Sequence, residues 1–397
     1  MKRDTRFIRF GLVYFVMFTI FGVATPYLQI LVRGLGYDPA QVGFLLGLFE
    51  VAGVTGPLLL GGLGDRMPSP RPALAALALV AVAAMIPLLL LPRFAFSALA
   101  LCLVALGIRT LIPLADASAV TFSDRGTAGR GAAHYGRIRV FGSAGFIAAT
   151  LTLQALPRFA HASPSSIALA FSLAALAFCL SLIILPVTGK SPRQGEPASR
   201  NSDRRIDPLF LLGLCIIALG RMAMAPISSF LSLYVAEDLR WNAVGGLWAL
   251  SACTEMPLML LSVRIIRRTG PMAAIAISSA ALVVRLAVYA LVPSPAGVVS
   301  GQLLHSLSYG LFQPAAVTFV ATRVPPERRV RGMAAFMSLG VGLPTFAGSS
   351  LGGLVLKAWG YRVLFASFVL FALASLLLYV LTRRRFSEGH AYSRPSG

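Results

Sequence analysis

Long apolar stretches separated by short polar and basic segments make up most of the chain. Each stretch is about 20 residues long or slightly more, the length at which an α-helix crosses roughly 30 Å of hydrocarbon. The twelve predicted helices cover residues 7–32, 40–62, 72–92, 95–118, 138–157, 164–187, 208–236, 242–263, 272–293, 296–321, 333–356 and 361–382. An even number of crossings leaves both termini on one side. The pattern therefore predicts an all-α membrane protein with twelve transmembrane helices.

One polar interruption is longer than the others and divides the chain. Residues 188–207 contain five basic side chains and hardly an apolar one. Apolar chain of roughly equal length lies on either side of it. We therefore predict an N-terminal six-helix bundle over 1–187, a cytoplasmic linker over 188–207, a C-terminal six-helix bundle over 208–382 and a cytoplasmic tail over 383–397.

The two halves also repeat each other weakly. Pro26 in the first predicted helix corresponds to Pro226 in the seventh, at an offset of 200 residues. The fourth and tenth predicted helices share Pro113 and Pro314 at a similar offset. Parallel repeats of this kind are typical of transporters that bind their substrate between two pseudo-symmetric bundles.

The composition agrees with a membrane protein. Of the 397 residues, 57% are hydrophobic and 12% are charged, whereas a soluble domain needs far more polar surface. The net charge of +21 does not indicate nucleic-acid binding, because the basic residues lie in short clusters between apolar stretches. The four cysteines lie inside apolar stretches without C-x-x-C spacing, so we expect neither a disulfide framework nor a metal site.

The distribution of Lys and Arg predicts the orientation. Most of the 35 basic residues fall in the termini, the linker and the loops on the terminus side, and three arginines fall within apolar stretches. The opposite loops contain only Arg33, Arg93, Arg158, Arg240, Lys357 and Arg362. Because Lys and Arg concentrate in cytoplasmic loops, we predict cytoplasmic termini in a bacterial inner membrane. The first apolar stretch lacks an A-x-A cleavage pattern, so we interpret it as a retained helix and not as a signal peptide.

The loop between predicted helices 2 and 3 contains a glycine-rich run that ends in Asp65-Arg66. This loop resembles the signature loop of the major facilitator superfamily, although Pro68 replaces its usual second glycine. The resemblance implies the major facilitator fold and an inner-gate structural role for Asp65 and Arg66. In the second repeat, Ile265 stands where Asp65 would recur.

The start of predicted helix 5, His134 to Phe146, contains the run YGRIRVFGSAGF. It resembles the corresponding segment of the phenylpropionate permease family of facilitators. Gly142 and Gly145 predict a small-residue face for close helix packing. Two basic residues at the membrane boundary, Arg137 and Arg139, and the acid Asp116 are predicted inner-gate structural residues.

Several ionisable side chains fall within the predicted helices, where each costs about 2.5 kcal/mol or more at a helix centre. They are Glu50, Arg109, Asp116, Arg221, Glu255, Arg285 and His305. For Asp116 we favour a cap or an ion pair with Arg137. A local pair of Arg109 with Asp116, seven residues apart, is as plausible as a binding role.

Glu50 and Glu255 lie at nearly equivalent positions of the repeat. Burial favours the neutral acid, so a carboxyl group near the midplane can take up a proton near neutral pH. Glu255, Arg285 and His305 also resemble the Glu, Arg and His of lactose-permease-type proton symporters. That family has a further glutamate one turn after the histidine, where this chain has Ser308. The predicted proton-coupling residues are therefore Glu255, Glu50 and His305.

Binding residues are predicted from charge and aromatic character. Arg221 has no acid nearby in sequence, so it can hold a substrate carboxylate or pair with Glu50 or Glu255. The predicted substrate-binding residues are Arg221, Arg285, Tyr27, Tyr309 and Gln313.

The first functional hypothesis is a proton-coupled symporter of a small organic solute, with an aromatic carboxylate such as 3-phenylpropionate as the expected substrate. A sugar or nucleoside symporter is the first alternative. A drug or metabolite efflux antiporter is the second, because Arg109 resembles an arginine that many antiporters carry in helix 4. An enzyme is not expected, since the sequence lacks H-E-x-x-H, G-x-S-x-G and nucleotide-loop motifs. We expect a monomer in a lipid bilayer, driven by the proton gradient without a cofactor and without a nucleic-acid partner.

Overall fold

A computed structural model describes most of the chain. The described residues are 2–66, 69–124, 131–156, 159, 162–185, 207–325 and 328–388. Within them the regular structure is helical and contains no β-strand. The predicted linker, apart from Asp207, and the last residues of the predicted tail lie outside this part of the chain.

Thirteen α-helices are present in the described residues. They are α1 (Lys2–Gly34), α2 (Pro39–Arg66), α3 (Arg71–Leu90), α4 (Phe94–Asp124), α5 (Gly131–Ala155), α6 (Pro164–Ser181), α7 (Pro208–Leu233), α8 (Val244–Thr269), α9 (Pro271–Leu291), α10 (Pro295–Leu303), α11 (Phe312–Arg323), α12 (Arg329–Ala335) and α13 (Leu343–Glu388). Five of them (α2, α6, α7, α9 and α10) begin at a proline, which suits the first helical position because its missing N–H has no partner there.

Three π-helical turns interrupt the regular pattern of the described helices. They lie at Tyr234–Asp238, Ser306–Gly310 and Phe336–Gly342. The predicted helix over 296–321 is therefore split into α10, a π turn and α11. Within α13, Gly360 has a φ of 77°, which marks the break between the last two predicted helices.

The helices identify a multi-pass membrane protein. In the described ranges, nine helical segments are long and apolar enough to cross a bilayer, or ten if the bent α8 forms one crossing. One of them, Arg331–Phe386, has 56 residues. At 1.5 Å per residue it is much longer than one crossing of about 30 Å. The fold class is confirmed, whereas the count of twelve crossings stays a prediction.

The chain forms two compact units. The first comprises Met1–Glu196 with Ser232–Ala252, and the second comprises Pro197–Leu231 with Cys253–Gly397. The end of α7 and the start of α8 thus belong to the first unit. The predicted division into bundles over 1–187 and 208–382 stays a prediction.

Close packing of α1 against α5 organises the first unit. A Cβ atom on Gly145 of α5 would overlap the carbonyl oxygen of Phe15, and one on Gly142 would overlap the ring of Phe18. Only glycine permits this approach, as the sequence predicts for this face.

Polar contacts attach the segment Ser232–Ala252 within the first unit. Arg33 forms an ion pair with Glu237 at 2.9 Å. The backbone N–H of Ser232 donates to the Gln29 side chain at 3.0 Å. In the second unit, α9 packs mainly against α13 and also against α10 and α11. This packing brings the polar residues of α9 and of the α10–α11 region together.

Candidate functional site

A buried arginine is the centre of the polar cluster in the second unit. Arg285 on α9 is fully buried. Its Nε donates to the Tyr289 hydroxyl at 3.1 Å, and its Nη1 donates to Ser308 Oγ at 3.0 Å. Its Nη2 donates to Gln302 Oε1, which also accepts from the Tyr289 hydroxyl at 3.3 Å. These three hydrogen-bond partners of Arg285 are therefore neutral groups.

The fourth partner of Arg285 connects it to a carboxylate. His305 Nδ1 lies 3.2 Å from Nη1 of Arg285. A guanidinium can only donate, so Nδ1 accepts and the ring proton belongs on Nε2. Nε2 lies 3.7 Å from Oε2 of Glu255 on α8. The arrangement therefore directs an N–H of His305 towards Glu255.

Local structure explains how these residues meet. Arg285 and Tyr289 are four residues apart on α9 and so share a face. Gln302 lies near the end of α10, His305 follows it, and Ser308 lies in the π turn. Turns of this type are frequent at functional sites because they change the helical register locally.

The structure brings Glu255, Arg285 and His305 together, as the resemblance to sugar symporters implies. Ser308 occupies the position of the missing glutamate and accepts a hydrogen bond from Arg285. Sequence reasoning missed Gln302. The sequence does contain a feature that marks Gln302, because it is an uncharged polar residue three positions before His305 within an apolar stretch.

Arg221 on α7 lies apart from these hydrogen bonds. Its guanidinium carbon is 5.8 Å from the centre of the Tyr309 ring. Its Nε is buried and has no acceptor among the described residues, and no acidic side chain there pairs with it. The expected alternative, an ion pair of Arg221 with Glu255, is therefore not formed.

A narrow recess adjoins Arg221. It is lined by Gly220, Arg221, Met224, Ser278, Ser279, Leu282, Ser308 and Phe312. The recess thus combines one cation, three hydroxyl groups and apolar walls. Each of the three hydroxyl groups donates to a backbone carbonyl oxygen three or four residues earlier.

Two other predicted binding residues lie elsewhere. Gln313, half-buried at the start of α11, follows Phe312 of the recess. Tyr27 lies in the first unit, buried with its ring 5.4 Å from that of Phe159 in an edge contact. Its substrate-binding role stays a prediction.

The first unit contains an ion pair that the sequence did not assign. Arg109 on α4 donates to Glu50 on α2, and its guanidinium carbon lies 5.4 Å from the centre of the Phe49 ring. The suggested local pair of Arg109 with Asp116 is wrong. These two residues turn to different neighbours, although seven-residue spacing places them on one side of α4.

Asp116 pairs with Arg139 at 3.1 Å and accepts from the Tyr14 hydroxyl at 2.7 Å. The favoured partner, Arg137, is instead exposed. Residues two positions apart point to nearly opposite sides of a helix, so only one of these arginines can face α4. The side chains of Asp65 and Arg66, at the end of α2, lie outside the described part of the structure.

The fold and these intramembrane clusters define a polytopic helical transporter of small solutes. The chain belongs to the MFS_1 like family, whose model matches residues 7–367. It is accordingly a major facilitator superfamily transporter and not an enzyme. This confirms the family-level resemblance recognised in the sequence.

Individual relatives differ in the solute that they are named for. The chain is 28% identical over 345 residues to the "Probable 3-phenylpropionic acid transporter" of Escherichia coli (strain K12), covering 82% of this chain and 84% of that protein. It is 27% identical over 384 residues to the "Maltose permease" of Geobacillus stearothermophilus, covering 95% and 94%. The crystal structure of the nucleoside transporter NupG has the same fold, with a TM-score of 0.76 at 17% identity over 96% of this chain and 98% of that chain.

Proposed function

We propose that this protein is a proton-coupled symporter of a small aromatic carboxylate such as 3-phenylpropionate. The observation that carries this proposal is Arg221, a guanidinium in the second unit without an acidic partner among the described residues. A charge of this kind is costly in a membrane protein unless a partner compensates it. A carboxylate that binds the guanidinium in a bidentate fashion is such a partner.

The surroundings of Arg221 match the rest of this substrate. The Tyr309 ring and the Phe312 side chain offer aromatic surface beside the guanidinium. Ser278 and Ser279 line the same recess, where their hydroxyls donate to the carbonyl oxygens of Ala274 and Ile275. The name of the Escherichia coli relative supports the same class of substrate.

Glu255 and His305 are the proposed proton-coupling residues. The Glu255 carboxylate is 3.7 Å from His305, and Arg285 fixes the other side of the imidazole. A proton taken up by this pair removes a negative charge from the membrane interior. The neutralised pair and the bound substrate together lower the electrostatic cost of reorienting the protein.

Uptake of labelled 3-phenylpropionate into energised membrane vesicles tests the proposal. We expect accumulation that a protonophore abolishes. Glu255→Gln should lose accumulation and retain exchange of internal for external substrate. Arg221→Gln should raise KM about 10- to 100-fold, because a charge-assisted contact of about 1.5–3 kcal/mol is lost. No uptake and no binding by the wild type would refute the aromatic-acid proposal.

A neutral sugar or nucleoside is the second candidate substrate. The polar wall of the recess favours it, since a polyhydroxylated solute can replace the backbone acceptors to which Ser278, Ser279 and Ser308 donate. The maltose permease and the nucleoside transporter among the similar proteins support it as well. Uptake of labelled maltose or uridine that is insensitive to Arg221→Gln would favour this candidate. Export of substrate from loaded vesicles would instead favour the antiporter.

The remaining proposals concern the location, the topology and the oligomeric state. We propose that the protein lies in a bacterial inner membrane as a monomer, with two six-helix bundles, a cytoplasmic linker and cytoplasmic termini. Asp116, Arg139 and Tyr14 then form a polar contact near the cytoplasmic side, to which Asp65, Arg66 and Arg137 are proposed to contribute.

A further inference from the structure

The Tyr309 ring touches both the proposed substrate arginine and the proposed proton site. On one side of this contact, the His305 imidazole stacks on the ring with centroids 5.3 Å apart and planes inclined by 20°. The Arg221 guanidinium carbon lies 5.8 Å from the same ring centre. All three residues belong to the second unit. Tyr309 is thus a direct physical connection between the two sites.

The π turn accounts for the stack of His305 on Tyr309. The two residues are four positions apart, slightly more than one α-helical turn. The wider turn at Ser306–Gly310 brings them closer to alignment. Among the described residues the Tyr309 hydroxyl makes no hydrogen bond, so the ring and not the hydroxyl carries the contact.

We infer that Tyr309 is a positioning residue that couples substrate binding at Arg221 to protonation of the His305–Glu255 pair. The inference rests on the proposed function of these two sites. Without substrate, the Arg221 cation opposes the addition of a positive charge to the His305–Glu255 pair. A substrate anion cancels the charge of Arg221 and so favours proton uptake. By linkage, protonation of the pair favours binding of the anion to the same extent. The aromatic ring keeps the two groups at a fixed separation and excludes the water that would screen them.

Within the part of the chain that the structure describes, two other charged groups face His305. Glu255 faces it from α8 and Arg285 faces it from α9. Both remain in place when Arg221 binds an anion. Arg221, from α7, is therefore the cation of this cluster whose charge the substrate would change.

A test without substrate measures the pH at which the His305–Glu255 pair takes up a proton. The purified full-length protein is labelled with 15N-histidine, and the His305 signal is assigned by its loss in His305→Gln. We expect Arg221→Gln to raise the protonation midpoint by about half a pH unit or more. In a Tyr309→Ser background, where water can enter, the same change should shift the midpoint by less than half as much.

A second test uses 3-phenylpropionate as the probe. We expect the wild type to bind it at least about fivefold more tightly below the protonation midpoint than above it. Tyr309→Ser should bind the probe more weakly, because the ring also lines the proposed substrate site, and the remaining binding should lose this pH dependence together with the protonophore-sensitive accumulation. Tyr309→Phe, which keeps the ring, should restore both. Tyr379→Ser is the matched control, since this α13 tyrosine makes no aromatic or cation contact within the described residues.

The outcomes separate the inference from the proposed function. The inference would be overturned if Arg221→Gln shifts the protonation midpoint equally in the wild-type and Tyr309→Ser backgrounds. It would also be overturned if Tyr309→Phe loses the pH dependence of binding in the same way as Tyr309→Ser. If Tyr309→Ser does not fold, Tyr309→Thr replaces it, because this small polar side chain also leaves room for water. A wild type that does not bind 3-phenylpropionate would refute the proposed substrate, and the measurement without substrate would still decide the role of Tyr309.

Discussion

Glu50 and Glu255 are equivalent candidates in the sequence but lie in different surroundings. Glu50 forms a direct ion pair with Arg109. The carboxylate of Glu255 lies 3.7 Å from Nε2 of His305, and its side chain lies near Gly310. Among the described residues, no arginine contacts Glu255 directly. A carboxylate that must gain and lose a proton suits the second environment better. The residue-level geometry therefore favours Glu255 as the proton carrier.

Exchange of the Glu50–Arg109 pair for neutral residues tests this distinction. Glu50→Gln or Arg109→Gln alone leaves one partly buried charge without its partner, which should lower the free energy of unfolding by about 1 kcal/mol or more. The double variant Glu50→Gln/Arg109→Gln should regain most of that loss and retain protonophore-sensitive uptake. Thermal unfolding and vesicle uptake are the measurements. A double variant that is stable but cannot accumulate substrate would assign a role in coupling to the Glu50–Arg109 pair.

Gln302 offers a second residue-level prediction. Gln302→Leu removes the acceptor shared by Arg285 and Tyr289, so we expect a loss of about 2 kcal/mol in the free energy of unfolding. Gln302→Glu keeps an acceptor and adds a compensating charge, so it should be more stable than Gln302→Leu. Thermal unfolding in detergent ranks the two variants. Equal stability would show that the hydrogen bonds to Gln302 contribute little.

The elements were more predictable than the pairs that they form. The apolar stretches located most helices because burial in hydrocarbon requires continuous apolar chain, and Gly142 and Gly145 indicated a close helix contact. The π turn before α11 was not predicted, since the spacing of apolar residues does not show where a helical turn contains one extra residue. Partners such as Arg109 for Glu50 depend on how each helix is rotated about its axis. Spacing along one helix does not determine that rotation.

The contact of α5 with α1 gives a prediction at this scale. Gly145→Leu should prevent the present approach of the two helices, because the added atoms would overlap the Phe15 backbone. We expect a loss of about 1–3 kcal/mol or more in the free energy of unfolding, as in other overpacked contacts. Gly220→Ala on α7 is the control for stability, since its Cβ would meet no described atom closer than 3.5 Å. Similar thermal stability of the two variants would contradict the assigned packing.

At the scale of the whole molecule, the charge distribution makes the orientation testable. Moving Lys or Arg through hydrocarbon costs about 2.5–3.5 kcal/mol per residue at the centre, and cytoplasmic loops retain the excess of these residues. The linker over 188–207 is rich in arginine, whereas the opposite loops have at most two basic residues each. If the linker is cytoplasmic, the loop before α6 faces the other side.

Single cysteines at these two places distinguish the orientations. In a background where the four native cysteines are replaced by serine, Ser165→Cys lies at the exposed start of α6 and Ser202→Cys lies in the linker. A membrane-impermeant maleimide added to intact cells should label Ser165→Cys and leave Ser202→Cys unlabelled. Inside-out vesicles should give the reverse pattern, which controls for intrinsic reactivity. Labelling of the linker cysteine from outside would invert the proposed topology, and with it the direction of every uptake measurement proposed for this transporter.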